Sequence, residues 1–157
     1  MLFIFLSFAN NSFAEKDTLA PFFDKSDIEI RKINDNRLAS WNLYNKNLQT
    51  LKKEGFIELP FIPKECVHNA HMFYIKCKNI DERTALIKHL KQNEIASVFH
   101  YIPLHSAKAG EKFGRFNGED KYTTIESERL LRLPLYYNIK EEDILKVTKA
   151  IISFYGE

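Results

Sequence analysis

Two histidines and a tyrosine, His100, Tyr101 and His105, have the residue types and spacing to contact a polar ligand. They lie in the stretch 98–105, which begins with the branched and aromatic residues typical of a strand. Pro103 has no N–H for a sheet ladder, so the strand is expected to end there. The three side chains then lie at a strand end and in the loop beyond it, where they can meet a ligand. An imidazole donates to sugar hydroxyls or phosphate oxygens near neutral pH, and a tyrosine ring offers a flat face to a sugar.

A plainer alternative stays open for these residues, in which one histidine is a hydrogen-bonded loop residue and Tyr101 is half-buried core. A metal site is not favoured, because no cysteine or carboxylate is spaced to complete a tetrahedral set with the histidines. The sequence also has no glycine-rich phosphate loop and no Gly-x-Ser-x-Gly motif. The residues alone therefore indicate neither a metal site nor a self-contained catalytic centre, and they favour the plainer alternative over a binding site.

Length and composition are those of one globular domain. The 157 residues carry a formal net charge of +2, too small and too evenly spread to indicate a nucleic acid or membrane partner. Cys66 and Cys77 are the two cysteines, and such sparse usage is typical of a reducing compartment, which indicates the cytoplasm. A cysteine nucleophile and a disulfide are both disfavoured.

Residues 1–23 are interpreted as a separate apolar segment. The run 2–9 is too short to span a bilayer. As a secretory signal it has an apolar centre and small residues near 12–14, but it lacks a positively charged start. We favour a strand or helix remnant, or a start left by truncation, and a small exported protein is the minor alternative.

Hydrophobic spacing predicts the elements that position the site. Helices are predicted over 24–53, 81–93, 123–131 and 141–155, strands over 70–77 and 95–102, and an extended stretch over 56–62. Asp81 is the predicted N-cap of the second helix, in which Ala85, Leu86 and Leu90 are predicted to face inward, and Thr123 with Glu126 forms a predicted capping box. The last helix is predicted to bury Ile144, Val147, Ile151 and Phe154. This order predicts an α+β domain in residues 24–157, in which helices cover a small sheet of about three to four strands.

Three blocks of the sequence resemble the DegT/StrS-type sugar aminotransferases. They are residues 69–76 (Asn-Ala-His-Met-Phe-Tyr-Ile-Lys), 100–105 (His-Tyr-Ile-Pro-Leu-His) and 127–136 (Ser-Glu-Arg-Leu-Leu-Arg-Leu-Pro-Leu-Tyr). The resemblance extends over about residues 33–155. Within the family it is strongest to the branch that makes dTDP-4-amino-4,6-dideoxygalactose for surface polysaccharide.

The resemblance implies the smaller, C-terminal domain of a fold-type-I enzyme that uses pyridoxal phosphate (PLP). In that family the cofactor lysine and the phosphate cup belong to a large N-terminal domain, so no catalytic or cofactor-binding residue is assigned here. His100, Tyr101 and His105 are implied to line the entrance for a dTDP-sugar, with His71 in a supporting role. The chain is then a substrate-side fragment, expected to be inactive alone.

An alternative to the inactive fragment is a non-catalytic sugar-nucleotide-binding module. It would pair with a separately encoded large domain or form a homodimer. Either hypothesis predicts exposed apolar surface, and the stripe on the first helix is where we expect it.

Overall fold

The computed structural model describes residues 25–156, and their side chains from residue 28 onward. The apolar segment 1–23 and its alternative interpretations lie outside the described residues. The chain divides into two units, residues 1–33 and 34–157, and the site lies in the second. Over residues 25–156, none of the helices combines the length and the apolar character needed to cross a membrane.

Helices and short strands alternate along the described chain. The elements are α1 (Lys25–Asn47), α2 (Gln49–Lys53), β1 (Phe73–Lys76), α3 (Ile80–Gln92), β2 (Val98–Phe99), α4 (Lys108–Phe113), α5 (Thr123–Arg129), β3 (Leu130–Leu133) and α6 (Glu141–Gly156). A 3₁₀ turn, Leu104–Ser106, separates β2 from α4. The predicted first helix is thus divided at Leu48, and Gly55, with a φ of +80°, follows its end.

The three strands form an antiparallel sheet in the order β1-β3-β2, which confirms the predicted α+β class. Leu131 of β3 lies opposite Ile75 of β1 on one side and Phe99 of β2 on the other. The central strand β3 was not predicted, because Leu130 and Leu131 were assigned to the end of a helix. Leucine and arginine favour helices by intrinsic propensity, and here pairing on both edges overrides that preference.

One face of the sheet carries the core. Phe73, Ile75, Leu131 and Leu133 point toward it and are 5% exposed or less. Helices α3 and α6 pack together and contribute further fully or almost fully buried side chains to this core: Leu86, Leu90, Ile144 and Ile151. The inward faces predicted for these two helices are confirmed at those positions.

Local predictions failed at several element ends. Asn79, not Asp81, caps α3, since its side chain accepts from the Glu82 N–H at 2.9 Å. The proposed Thr123–Glu126 capping box is wrong, because the Asp120 carboxylate accepts the Thr124 N–H instead. Ala85, predicted to point inward, is exposed.

The predicted strands are longer than the observed ones. β2 contains only residues 98–99 of the predicted 95–102, and the extended stretch 56–62 contributes one bridge, between Glu58 and Lys76. Pro103 and the 3₁₀ turn after it prevent further pairing at the end of β2. The chain therefore leaves the sheet immediately before His100, which places that residue at the sheet margin.

Helix α1 is joined to the end of β3 by Tyr44. This side chain is fully buried, stacks on Phe73 with ring centroids 5.0 Å apart, and donates its hydroxyl to the Pro134 carbonyl at 2.8 Å. Burial raises the pKa of the Tyr44 hydroxyl above its usual value, so it remains a donor. The apolar stripe predicted for α1 is thus core at Trp41 and Tyr44, whereas Ile30 is exposed.

We expect Tyr44→Phe to lower the free energy of unfolding by about 1–2 kcal/mol, because the buried Pro134 carbonyl loses its donor. Urea denaturation of both proteins measures the difference. Tyr137→Phe is the matched control, since Tyr137 is 46% exposed and should lose almost nothing. Equal stability of wild type and Tyr44→Phe would contradict the role given to this hydrogen bond.

Candidate functional site

His100 and Tyr101 lie together on an open groove at the margin of the sheet. This cavity, of about 380 Å³, is called here the histidine groove. Its lining residues are His71, Met72, Val98, His100, Tyr101, Arg132, Leu133 and Leu135. They come from the approach to β1, from β2 and its end, and from β3 and the residues after it. The predicted strand-end corner is therefore a concave surface in the structure.

The polar and aromatic groups of this groove come from Arg132, His71, His100 and Tyr101, and its other lining residues are apolar. The rings of His100 and Tyr101 meet edge to face, with centroids 5.2 Å apart. The Arg132 guanidinium carbon lies 5.8 Å from the centre of the Tyr101 ring, within the range of a cation–π contact. The Tyr101 side chain is 75% exposed, so one face of its ring remains accessible. The C–H face of a sugar ring, or a planar nucleobase, can pack there.

Two polar atoms in the histidine groove lack partners within the described chain. They are Nδ1 of His100 and Nε of Arg132, and both are buried. Buried polar atoms are nearly always hydrogen-bonded in folded proteins, to protein, water or ligand. Both atoms belong to residues that line the histidine groove, one on β3 and one just after β2, which makes the groove a candidate binding site.

A second groove, of about 390 Å³, shares His100 and Tyr101 with the first. It is mostly apolar, and its walls include Phe99, Ile102 and Pro103. Arg83 also lines it: Nη1 donates to the Ser127 carbonyl at 3.0 Å and the group lies over the Phe99 ring, whereas its Nε is buried without a partner among residues 25–156. A ligand in this apolar groove would make mainly apolar contacts.

The structure separates His105 from the other two predicted site residues. Its Nε2 lies 2.6 Å from the Asp120 carboxylate, and its ring packs on Phe116 at 4.4 Å between centroids. His105 lines neither of the two grooves. It joins the turn after β2 to the loop before α5, and Thr124 donates its hydroxyl to the same Asp120 carboxylate. Its direct contact with a ligand remains a prediction.

The remaining histidines and the cysteines have other surroundings. His68 packs against Trp41, and Nδ1 of His71 lies 3.1 Å from the Asn69 side-chain oxygen. Cys66 and Cys77 are free, and burial raises the pKa of the Cys77 thiol to about 11. Among residues 25–156, no three metal-ligating side chains gather into a site.

Comparisons with known proteins identify the class of protein to which this small α+β domain belongs. Residues 28–152 match the model of the DegT/DnrJ/EryC1/StrS aminotransferase family. The chain belongs to this family.

The relatives agree with that assignment. An uncharacterized protein of Methanocaldococcus jannaschii is 32% identical over 120 residues, which cover 73% of this chain and 30% of that protein. The aminotransferase TlmJ of Streptoalloteichus hindustanus matches in structure with a TM-score of 0.70 and 18% identity, over 81% of this chain and 33% of that one. PseC of Helicobacter pylori, an aminotransferase of pseudoaminic acid biosynthesis, matches with a TM-score of 0.66 and 14% identity, over 88% and 34%.

These matches cover about a third of each relative. At such low identity the solved structures establish the fold, which is that of sugar aminotransferases. The family resemblance expected from the three sequence blocks is confirmed at this level.

The family implies PLP, and the described lysines do not fit it. The Lys76 ammonium is held between Glu58 at 2.8 Å and Glu126 at 2.7 Å, beside a groove of only about 140 Å³. The hydrogen bond to Glu126, and that to Glu58, raise the pKa of Lys76, which keeps the amine protonated. Lys146 lines another groove but is half exposed and faces Glu94 at 3.6 Å. Neither amine is positioned to bind a cofactor aldehyde, so no step through PLP is derived from these residues.

Sequence reasoning missed Arg132 and Asp120. Arg132 directly follows the segment 123–131 that was assigned to a helix, although it stands between Leu131 and Leu133, and that alternation is typical of a half-buried strand. Asp120 was passed over as part of a polar turn. Its partners come from 4 and 15 residues away, and such contacts leave no local pattern.

We expect Asp120→Asn to reduce the dependence of stability on pH below about pH 4. Hydrogen bonds from the Thr124 hydroxyl and from His105 hold the pKa of Asp120 near 2. A carboxyl whose pKa is lower when folded stabilises the protein above its unfolded value of about 3.9, and loses that contribution as the pH falls toward 2. Thermal unfolding between pH 6 and pH 2 should therefore show a shallower decline for the variant.

The control for that experiment is Glu119→Gln, because Glu119 is exposed and only faces Lys121 at 3.4 Å. It should keep the wild-type profile. Parallel pH profiles for wild type and Asp120→Asn would refute the Asp120–Thr124–His105 contact.

Proposed function

We propose that residues 24–157 form the substrate-side domain of a PLP-dependent sugar-nucleotide transaminase that serves surface polysaccharide biosynthesis. The observation that carries the proposal is the histidine groove, which lies inside the segment matched to the aminotransferase family. The proposed substrate is a dTDP-4-keto-6-deoxy sugar, and the proposed product is dTDP-4-amino-4,6-dideoxygalactose, as in the branch of the family that the sequence blocks resemble. The protein acts in the cytoplasm.

In this proposal His100 and Tyr101 contact the sugar nucleotide directly. Tyr101 stacks its exposed ring on the ligand, and His100 supplies hydrogen bonds to hydroxyl or phosphate oxygens. His105 belongs to the same entrance, and its contact with Asp120 fixes the loop that borders it. His71, on the opposite wall, is a supporting residue.

The cofactor chemistry of the proposed enzyme must come from outside residues 25–156. When bound, PLP supplies an electron sink for amine transfer. The described lysines are paired with carboxylates or exposed. The described domain would accordingly bind and orient the nucleotide sugar, while another polypeptide segment provides the cofactor lysine.

A second candidate is a non-catalytic sugar-nucleotide-binding module that pairs with a separately encoded large domain or with a second copy. The observation in its favour is exposed apolar surface around the site. Phe99, Ile102 and Leu104 are 49%, 60% and 87% exposed. This surface differs from the one expected, since the α1 stripe is buried at Trp41 and Tyr44. A large partner on this side would cover the apolar residues and close the grooves.

We expect the 157-residue chain alone to form no stable complex with PLP and to transfer no amine. Absorbance spectra recorded after mixing with PLP and dialysis test this, together with an amine-transfer assay. Transient reaction of exposed lysines is removed by the dialysis step. A lysine-bound cofactor band that survives dialysis, with turnover, would refute the inactivity of the chain.

We expect the chain to bind dTDP-4-amino-4,6-dideoxygalactose, and His100→Ala to weaken that binding by about five- to tenfold, the usual range for one lost hydrogen bond. Isothermal titration calorimetry measures both affinities. His68→Ala is the control, because His68 packs on Trp41 outside the groove. No heat with wild type would reject sugar-nucleotide binding, and equal affinities of wild type and His100→Ala would remove His100 from the site.

A further inference from the structure

We propose that Arg132 binds the diphosphate group of the nucleotide sugar in the histidine groove. The identity of the whole ligand rests on the proposed function. The assignment of the diphosphate to this residue rests on the backbone, the hydrogen bonding and the charge around Arg132.

The backbone of Arg132 is held more firmly than that of any loop residue in the groove. It lies in the central strand, opposite Tyr74 of β1 and Val98 of β2. Its neighbours Leu131 and Leu133 are buried in the core on the other face of the sheet. A side chain on such a support loses little additional freedom when it binds a ligand.

The guanidinium of Arg132 is without a hydrogen-bond acceptor within residues 25–156. Its Nε is buried and unpartnered, and no carboxylate of the described chain forms an ion pair with it. Arg129, three residues earlier, has the opposite environment: it contacts Glu58, Glu126 and the Cys77 carbonyl. A partly buried guanidinium without acceptors costs free energy, and an anion removes that cost.

The charge of the groove favours an anion. Two histidines and Arg132 are among its eight lining residues, which include no aspartate or glutamate. The neighbouring apolar groove is different, because it contains the carboxylate of Glu128, and Nη1 of its Arg83 already donates to the Ser127 carbonyl, although the Arg83 Nε is unpartnered among residues 25–156. Anion binding is thus expected in the histidine groove and not beside it.

The guanidinium shape favours a phosphate group over a point charge. Its planar fork donates two parallel hydrogen bonds to phosphate oxygens, which lysine cannot do. Tyr101 lies 5.8 Å away, close enough to stack a sugar or base while the phosphates reach Arg132. The cavity of about 380 Å³ is within the range of small-molecule sites. These features select a nucleoside diphosphate or its sugar ester as the ligand class.

Calorimetry with three probes tests the assignment: dTDP, inorganic pyrophosphate and thymidine. We expect wild type to bind dTDP and pyrophosphate, and Arg132→Gln to weaken both by about tenfold or more, as expected for a lost charged hydrogen bond. The affinity of Arg132→Lys for both phosphate probes should lie between those of wild type and Arg132→Gln, because lysine keeps the positive charge but cannot donate two parallel hydrogen bonds. The affinity for thymidine, which has no phosphate, should be equal in all three proteins.

Arg115→Gln is the matched control, since Arg115 is an exposed arginine outside the groove. Arg115→Gln should bind dTDP and pyrophosphate as tightly as wild type does. A general effect of net charge would instead weaken binding equally in Arg115→Gln and Arg132→Gln. Thermal unfolding of each variant checks folding, and if Arg132→Gln unfolds, Arg132→Lys carries the comparison.

The outcomes separate this inference from the proposed function. If dTDP-4-amino-4,6-dideoxygalactose binds wild type and Arg132→Gln equally, the role of Arg132 is refuted and the proposed function stands. Suppose instead that pyrophosphate binding depends on Arg132, but that wild type binds the nucleotide sugar no more tightly than it binds pyrophosphate. The diphosphate site then stands and the proposed function fails. No binding of either phosphate probe to wild type refutes the assignment.

Discussion

The antiparallel pairing of β3 with strands on both of its edges is the constraint on which the rest of the domain depends. Leu131 and Leu133 enter the core because β3 lies between β1 and β2, and the two-residue alternation then directs Arg132 to the opposite face. A shift of one residue in this register would exchange the two faces, burying a guanidinium and exposing two leucines. The hydrophobic core therefore fixes the position of the one cation in the histidine groove that is always charged.

The elements that could be predicted from sequence are those with long, regular periodicity. Helices α3 and α6 and the alternation in β1 were recovered, because their apolar spacing reports directly on one buried face. β3 could not be recovered in this way, since four residues carry little periodicity and their leucines also suit a helix. Its identity depends on partners that lie more than thirty residues away in the sequence. Element ends failed for a related reason: Asn79 and Asp120 act through specific side-chain contacts that propensity does not encode.

The candidate site was predicted in part. His100 and Tyr101 were recognised because Pro103 marks a strand end, and the structure brings both into one groove. His105 has the same residue type and a similar position, yet it faces Asp120 across a tight turn. Sequence spacing thus predicts which part of the fold a residue occupies. It does not predict whether the side chain lines a groove or is bound to another side chain. Residues 28–152 belong to an aminotransferase family, and the described lysines lie in ion pairs or are exposed. The proposed function therefore assigns substrate binding, and not cofactor chemistry, to the described residues.

The most direct test is a two-dimensional amide NMR titration of the ¹⁵N-labelled chain with dTDP-4-amino-4,6-dideoxygalactose. It locates the ligand without relying on any substitution. We predict that the amides that shift belong to the residues that line the histidine groove: His71, Met72, Val98, His100, Tyr101, Arg132, Leu133 and Leu135. An unchanged spectrum at saturating ligand, or shifts confined to the groove beside Lys76 and Arg129, would contradict the account.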